Sequence, residues 1–438
     1  MNPAFFPEIE RKPLADIKTF QEKILKDLLS YLGANSLYYS RLFREHSIDI
    51  SKILRLEDLL NIPVTDKAQL QQFNNDFICV PGNRIVDYIT TSGTLGDPVT
   101  MAMTDRDLER LAYNEALSFT CADGSVDDIY QLMTTMDRRF MAGMAYFLGI
   151  RKLGASIIRV GNGIPELQWD TIIRFKPNAI ICVPSFILKI IEYAEQNGID
   201  YRSSGITKAV CIGEPLRSPD MKPNALAKRI LEKWQIQLYS TYASTEMATT
   251  FAECGVGTGG HHHPELIITE FLDDNNKPVH EGEAGELTIS TLGVEGMPLL
   301  RFKTGDVCYH YTEPCACGRT TIRLGPILGR KKQMIKFKGT TIYPPALFDI
   351  LDDIPYISNY YIEVCTNDIG TDEIIINAGT ENENPEIEKD VKDHFRARLR
   401  VAPQVRFMKP DEIMKAQCPE GNRKPIKFFD KRNNPGPF

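Results

Sequence analysis

Three parts of the chain combine residue types that can do chemistry. Residues 90–98 read Thr-Thr-Ser-Gly-Thr-Leu-Gly-Asp-Pro and follow a strand-like run from Arg84 to Ile89. Glycines let backbone amides approach an anion closely and hydroxyls add donors, so Thr91, Ser92, Gly93, Thr94 and Gly96 can cradle a polyphosphate such as that of ATP. A tight turn between two strands would have the same composition. Cys254, His261, Cys315 and Cys317 form a Cys-x6-His pair and a Cys-x-Cys pair joined by a long insertion. Three thiolates and an imidazole suit four-coordinate zinc, and a filled Cys3His set leaves no position for a reacting water, so the expected ion is structural. It would staple the strand after Glu246 to the loop after Asp306, with His262 and His263 as alternatives to His261; two separate turns with reduced thiols are the rival reading. The third part is the basic tail Pro419 to Arg432, which holds Arg423, Lys424 and Lys427.

These groups need a scaffold. Ile17, Phe20, Ile24 and Leu28 follow helical spacing and a second apolar pattern runs from Leu37 to Phe43, so the first ninety residues read as helices. From Asp87 to about Gly329, strand-like runs (Ala155 to Val160, Ala179 to Val183, Ala209 to Ile212, Gln237 to Tyr239) alternate with helical segments such as Lys222 to Trp234. That alternation predicts an α/β fold, β-sheets layered with helices. A new compositional block follows Gly329-Arg330, with strands around Tyr360 to Cys365, Glu373 to Asn377 and Gln404 to Met408 and a charged helix from Pro385 to Leu399. The expected division is a large domain at 1–330, helical over 1–86, and a small α+β domain at 331–438.

Composition is consistent with that size. The chain has 438 residues, 42% of them apolar and 25% charged, enough for one large core and a smaller second one. A net charge of −7 provides no basic field for nucleic acid or an anionic membrane, so an anionic ligand has to be captured by a local site. The start lacks a basic stretch followed by an apolar one, and the most apolar run, Ala179 to Leu188, is short and holds Pro184 and Ser185; a soluble, cytoplasmic protein is expected. Most of the ten cysteines should then be reduced, with Cys79, Cys121, Cys182, Cys211, Cys308 and Cys365 packed as small hydrophobes.

Several segments resemble the phenylacetate-CoA ligase branch of the adenylate-forming enzymes. Thr91-Ser92-Gly93-Thr94-Leu95-Gly96 is similar to that family's phosphate loop, with Leu95 where a second Thr is usual and Val99 where many members carry Lys. Tyr239-Ser240-Thr241-Tyr242-Ala243-Ser244-Thr245-Glu246 resembles its Tyr-Gly-x-Thr-Glu element, with Ala243 in the Gly position. The resemblance implies that Tyr239, Ser240, Thr241 and Tyr242 border the nucleotide, an aromatic ring stacking on adenine, that Thr245 bonds the α-phosphate and that Glu246 binds magnesium. Gly213-Glu214-Pro215 resembles the turn that brackets the adenine. Asp306, in Leu300-Arg301-Phe302-Lys303-Thr304-Gly305-Asp306, would accept hydrogen bonds from both ribose hydroxyls, a task that suits a carboxylate.

Gly329 to Gly339 is similar to the family's junction between its large and small domains, which makes Lys332 the hinge about which a mobile small domain turns and sets Arg330 on the ribose or phosphate. The tail resembles the loop that carries an essential lysine, implying Lys424, with Lys427 as the fallback. Gly259-Gly260-His261-His262-His263-Pro264-Glu265 and Pro314-Cys315-Ala316-Cys317-Gly318 match elements of short members of the branch, as do Leu56 to Leu59 and Ile62 to Lys67. The implied activity is ATP-dependent ligation of an acid, phenylacetate or another aryl acid, to coenzyme A through an acyl-adenylate. Phe140, Tyr146 and Ala243 are candidates for the acid's pocket, although a Met and aromatic stripe at helical spacing also describes plain core. The expected partners are small molecules only (the acid, ATP with Mg2+, and CoA), with a homodimer left open. A transferase using another acid or acceptor and a non-catalytic nucleotide-binding relative are the alternatives.

Overall fold

The computed structural model describes residues 5–91, 99–337, 340–367, 372–381, 385–418 and 425–432. The chain divides into two compact units, 1–223 with 227–327, and 224–226 with 328–438. The division falls between Ile327 and Leu328, whereas the composition change put it at 330/331.

The first unit opens with α1 (Leu14–Asn35) and α2 (Leu37–Glu45), separated by Ser36, whose hydroxyl accepts the Tyr39 amide and so caps α2. The core face of α1 is Ile17, Gln21, Leu25, Leu28, Leu29 and Leu32. Phe20 and Ile24, which share the helical spacing, are partly buried. Gln21 holds a core position because its amide donates to the carbonyls of Pro264 and Ile267 at 3.0 and 2.9 Å, which satisfies its polar atoms. α3 (Lys67–Gln72) starts at a reciprocal cap in which Asp66 accepts the Gln69 amide and Gln69 accepts the Asp66 amide. A small hairpin follows, β1 (Ile85–Thr90) and β2 (Thr100–Thr104), and then α4 (Asp105–Cys121).

The central element is an 11-stranded sheet. One half is parallel: β3 (Ile129–Leu132), β4 (Ser156–Arg159), β5 (Ala179–Cys182), β6 (Lys208–Cys211) and β7 (Gln237–Ser244), in the order 4-3-5-6-7. The crossovers carry α5 (Met141–Leu153), α6 (Pro165–Phe175), α7 (Pro184–Gln196) and α8 (Ala225–Lys233), as parallel pairing requires. The strands of this half are short and rich in Ile, Val and Ala, and β5 is buried at every residue. The other half continues from β7 through β8 (Thr249–Glu253), β9 (Gly260–His261), β13 (Arg323–Arg330), β12 (Phe302–Tyr311), β11 (Gly285–Thr291) and β10 (Ile267–Leu272). β7 is the pivot: Gln237 to Ser240 pair in parallel with β6, and Thr241 to Ser244 pair antiparallel with β8. In open α/β sheets, a change of connectivity at strand carboxyl ends leaves a crevice where ligands bind. The expected strands were found, each within a few residues, and β7 runs five residues beyond the predicted Tyr239 because its later half is polar.

The second unit has its own core, built on Ile335, Leu347, Ile350, Ile362, Ile374, Ile376, Val391 and Phe395. It contains the hairpin β14 (Ile335–Phe337) and β15 (Thr340–Ile342), then α9 (Pro344–Asp352), and a sheet in the order β18 (Gln404–Met408), β17 (Asp372–Gly379), β16 (Asn359–Thr366), β19 (Phe428–Asp430). Helices α10 (Pro385–Leu399) and α11 (Pro410–Gln417) complete it. Among the described residues, no helix is long and apolar enough to cross a membrane.

Candidate active site and a cysteine–histidine centre

The polar second half of β7 meets β12 through a side-chain hydrogen bond: the Tyr242 hydroxyl donates to Asp306 Oδ2 at 2.7 Å. Three strands lie between β7 and β12 in the sheet order. Flat spacing of about 4.8 Å per strand would hold them far apart, so the antiparallel half curls until the two meet. Asp306 sits where the β11–β12 register slips, from Glu286 opposite Val307 to Thr288 opposite Lys303. The extra residues form a bulge, which re-aims a side chain out of the ladder. Gly305 takes a φ of +79° there, and the Thr304 hydroxyl accepts the Asp306 amide at 3.1 Å while donating to the Leu287 carbonyl at 2.8 Å. Thus Thr-Gly-Asp is the local code for a projected carboxylate. Burial, then the Asp306 charge, pushes the Tyr242 phenol well above its ordinary pKa, so it stays a donor.

At the end of β7 the chain turns, the Ser244 hydroxyl accepting the Met247 amide at 3.3 Å, and presents Thr245 and the buried Glu246. Glu246 Oε1 lies 3.3 Å from the ammonium of Lys67, the first residue of α3. The segment before Lys67 is strapped to the start of β12: the Thr65 amide donates to the Arg301 carbonyl at 2.9 Å and the Lys303 amide to the Thr65 carbonyl at 2.8 Å. The strand that carries Asp306 therefore also fixes Lys67. Sequence reasoning quoted Lys67 only within a family-like segment and gave it no role; the signal available was the absence of a lysine at Val99, which is fully buried in the core.

Other expected contacts are divided between partly exposed and buried structural positions. Ser240, Thr241 and Tyr242 are partly buried and Ala243 is exposed, whereas the Tyr239 ring is buried in the core beside Tyr130 and Ile181 with its hydroxyl on Asp123 at 2.8 Å. That ring has no free face for adenine, so Tyr239 is removed from the stacking candidates. Thr241 donates to the Cys211 carbonyl at 2.9 Å. Gly213 takes a φ of +75° after β6, and Glu214 beside it accepts the amide and hydroxyl of Ser185, both at 2.9 Å, which caps α7 and fixes the Gly213-Glu214-Pro215 turn. Thr91 is buried, its amide donating to the Val99 carbonyl at 3.0 Å and its hydroxyl accepting the Val99 amide at 3.2 Å, so it closes the base of the loop. Ser92, Gly93, Thr94 and Gly96 lie outside the described residues. Phe140 precedes α5 and is partly buried; Tyr146 is a core residue packed against Phe119.

In the second unit, Arg330 and Lys332 are exposed, and the Lys332 carbonyl accepts from Arg432 at 3.2 Å. Gly329 is required by contact, since a Cβ there would lie 2.6 Å from the Tyr343 side chain. Lys424 lies outside the described residues. The fallback Lys427 is engaged in this unit's packing, its ammonium 3.1 Å from the Tyr360 hydroxyl, 3.7 Å from Asp352 and 4.8 Å above the Tyr360 ring.

Cys254, His261, Cys315 and Cys317 converge, all four ligand atoms lying within 4.8 Å of one another. Cys254 follows β8, and His261 on β9 is held in register opposite Ala252 and Arg323. Cys315 and Cys317 lie in the turn between β12 and β13, closed by the Gly318 amide on the Cys315 carbonyl at 3.0 Å and the Cys315 amide on the Arg319 carbonyl at 2.8 Å. The Cys254 and Cys315 sulfurs are 3.7 Å apart, and His261 Nε2 is 3.4 Å from Cys254 Sγ and 3.5 Å from Cys317 Sγ. A tetrahedral zinc, with bonds of about 2.3 Å to sulfur and about 2.0 Å to nitrogen, sets edges of roughly 3.8 and 3.5 Å, so the donor set fits that ion. The neighbouring histidines are otherwise committed, His262 Nε2 to the Ile267 carbonyl at 2.6 Å and His263 Nδ1 to Glu10 at 2.5 Å. Burial keeps His262 neutral, its pKa pushed down to about 4. His261 is therefore the one imidazole of the three that faces the sulfurs. Cys121 packs beside them but donates to the Ala252 carbonyl.

A layered sheet with a pivot strand, joined across to β12 by Tyr242 and Asp306, defines an α/β class of protein, and the comparisons give it a family. Residues 44–296 match the family of AMP-binding enzymes. The chain is 31% identical over 360 residues to the phenylacetate-coenzyme A ligase of Thermus thermophilus, covering 81% of this chain and 79% of that one, and 27% identical over 363 residues to the enzyme of the same name from Escherichia coli, covering 81% and 80%. A crystal structure of 2-hydroxyisobutyryl-CoA ligase in the postadenylation state superposes with a TM-score of 0.86 at 22% identity, over 99% of this chain and 94% of that one, which supports the fold. The chain belongs to the AMP-binding enzyme family, as an adenylate-forming enzyme of the phenylacetate-CoA ligase type.

Proposed function

We propose that the chain is an AMP-forming acid:CoA ligase whose acid is phenylacetate or a related aryl acid. The observation that carries the reading is the junction of two separately encoded motifs through the Tyr242 hydroxyl on Asp306, in a chain that aligns over most of its length with phenylacetate-coenzyme A ligases. In the first half-reaction a carboxylate oxygen attacks the α-phosphorus of ATP and pyrophosphate leaves. In the second, the CoA thiol attacks the acyl carbon of the mixed anhydride and AMP leaves.

Asp306, projected by its bulge, accepts the ribose hydroxyls, with Tyr242 fixing the carboxylate. Thr245 donates to the α-phosphate. Glu246 would hold Mg2+, which when bound screens the charge on the phosphates. Lys67 leaves Glu246 for a phosphate oxygen as the nucleotide arrives and supplies the cation that Val99 does not. Arg330 reaches the nucleotide, Lys332 is the hinge of a mobile second unit, and Lys424 pairs with the attacking carboxylate and the α-phosphate. The engagement of Lys427 with Tyr360 supports this choice of lysine. Phe140 and Ala243 border the acid, while Tyr146 supports that wall from within the core. Cys254, His261, Cys315 and Cys317 hold a structural zinc whose closed coordination keeps it out of the reaction.

The test is incubation with ATP, Mg2+, CoA and a panel of aryl and aliphatic acids, with AMP and thioester measured together. Stoichiometric AMP and aryl-CoA are expected. AMP with no thioester would redirect the reading to another acceptor.

A further inference from the structure

Cys254, His261 and Cys315 are buried and Cys317 is partly buried, and the surroundings of this cluster extend to a segment distant in sequence. Three thiolates, one neutral imidazole and a dication carry a net charge of −1, which is costly to bury without a compensating cation. Arg319 is fully buried beside it, with Nη1 3.7 Å from Cys317 Sγ and Nε 2.7 Å from Glu10 Oε2. Glu10 is also fully buried, and its other oxygen accepts from His263 Nδ1 at 2.5 Å. The Phe6 ring covers the guanidinium, its centroid 4.2 Å from Cζ. Backbone contacts complete the docking: the Thr320 amide donates to the Glu10 carbonyl at 2.8 Å and its hydroxyl donates to the Lys12 carbonyl. On the opposite side the Thr321 hydroxyl lies 3.4 Å from His261 Nδ1, which leaves Nε2 to face the sulfurs.

We propose that Arg319 and Glu10 are the outer shell of the Cys254, His261, Cys315 and Cys317 centre, so that the turn Glu8–Arg11 is held down through the metal site. The inference rests on the zinc reading above. Arg319 sets a cation against the centre and donates to one ligand sulfur, and the Glu10 carboxylate orients the guanidinium. Both act on the ion through Cys317 and are positioning residues. When the metal leaves, nothing fixes the Cys317 sulfur against which Arg319 is set, and the anchoring of residues 6–12 through Arg319 and Glu10 weakens with it.

Protein purified without an affinity tag is titrated with a chelator, and tryptic cleavage after Arg11 is followed in zinc-loaded and stripped samples. Stripping is expected to accelerate that cleavage at least about tenfold, and Glu10→Gln and Arg319→Gln are expected to weaken zinc binding by about 10- to 100-fold at unchanged stoichiometry. Arg319→Lys, which keeps the charge, should lose less. In cobalt-loaded protein the thiolate-to-metal charge-transfer band should shift in Arg319→Gln, a signature that a packing defect alone would not produce. Wild-type zinc affinity and an unshifted band in both Gln variants would overturn the proposal, as would cleavage indifferent to chelation. Wild-type protein that takes up no zinc would overturn the zinc reading itself and this inference with it.

Discussion

The carboxylates of Glu246 and Asp306 and the cysteine–histidine centre lie in the same unit and are held in opposite ways. Glu246 is paired with Lys67, whose side chain is 41% exposed, and Asp306 projects from a bulge toward a tyrosine. Such partners can be exchanged for a ligand at modest cost, because a partly exposed ion pair contributes little net stability. The cysteine–histidine ligands are fixed by two β-hairpins, and Arg319 and Glu10 behind them are fully buried. Removing one partner from a buried charge network leaves an uncompensated charge and costs several kcal/mol. One region is therefore built to trade contacts and the other to keep them.

Substitutions should separate the two. Cys317→Ser should lower metal content and destabilise the first unit by about 4 kcal/mol or more, read by urea unfolding; an unchanged midpoint would make the centre dispensable. Asp306→Ala should reduce adenylation by about 10²- to 10³-fold in pyrophosphate exchange while leaving the unfolding midpoint nearly unchanged, the reverse pattern. A large loss of stability there would erase the contrast.

Glu115 on α4 sharpens the buried side. Its carboxylate accepts from Thr250 on β8 at 2.7 Å, and burial raises its pKa from 4.5 to about 7. Between these values the unfolded chain has released the proton that the folded chain still binds, so stability falls as pH rises from about 4.5 to 7. Glu115→Gln should remove that slope, worth at most about 3 kcal/mol, so the variant gains on the wild type between pH 5 and 8. Parallel stability curves would show that Glu115 ionises freely. The smallest effect is expected at Lys67→Ala: a rise of about tenfold in the KM for ATP, with thioester formation from preformed acyl-adenylate spared. Equal losses in both half-reactions would mean that Lys67 only supports the fold.

Much of this was legible in the residue order. The strands of the parallel half could be read because continuous apolar runs punctuated by turns leave little choice, and the convergence of Cys254, His261, Cys315 and Cys317 could be read because that set of donors is uncommon at that spacing. Helical spacing located α1, but periodicity could not foresee that Gln21 would be buried on its core face by finding two backbone carbonyls. Tyr239 was assigned to the nucleotide because motif position says nothing about which side of a strand faces the core. The pairing of Lys67 with Glu246 joins residues far apart in the chain, and the burial of Glu10 against Arg319 does the same; neither leaves a local pattern.

The central claim is that the gathered carboxylates serve acid activation. Its most direct measurement is acid-dependent exchange of labelled pyrophosphate into ATP, run with and without CoA across the acid panel. The account expects exchange that requires an aryl acid, proceeds without CoA and falls by about 10²- to 10³-fold in Asp306→Ala. Tight ATP binding with no exchange for any acid would contradict it.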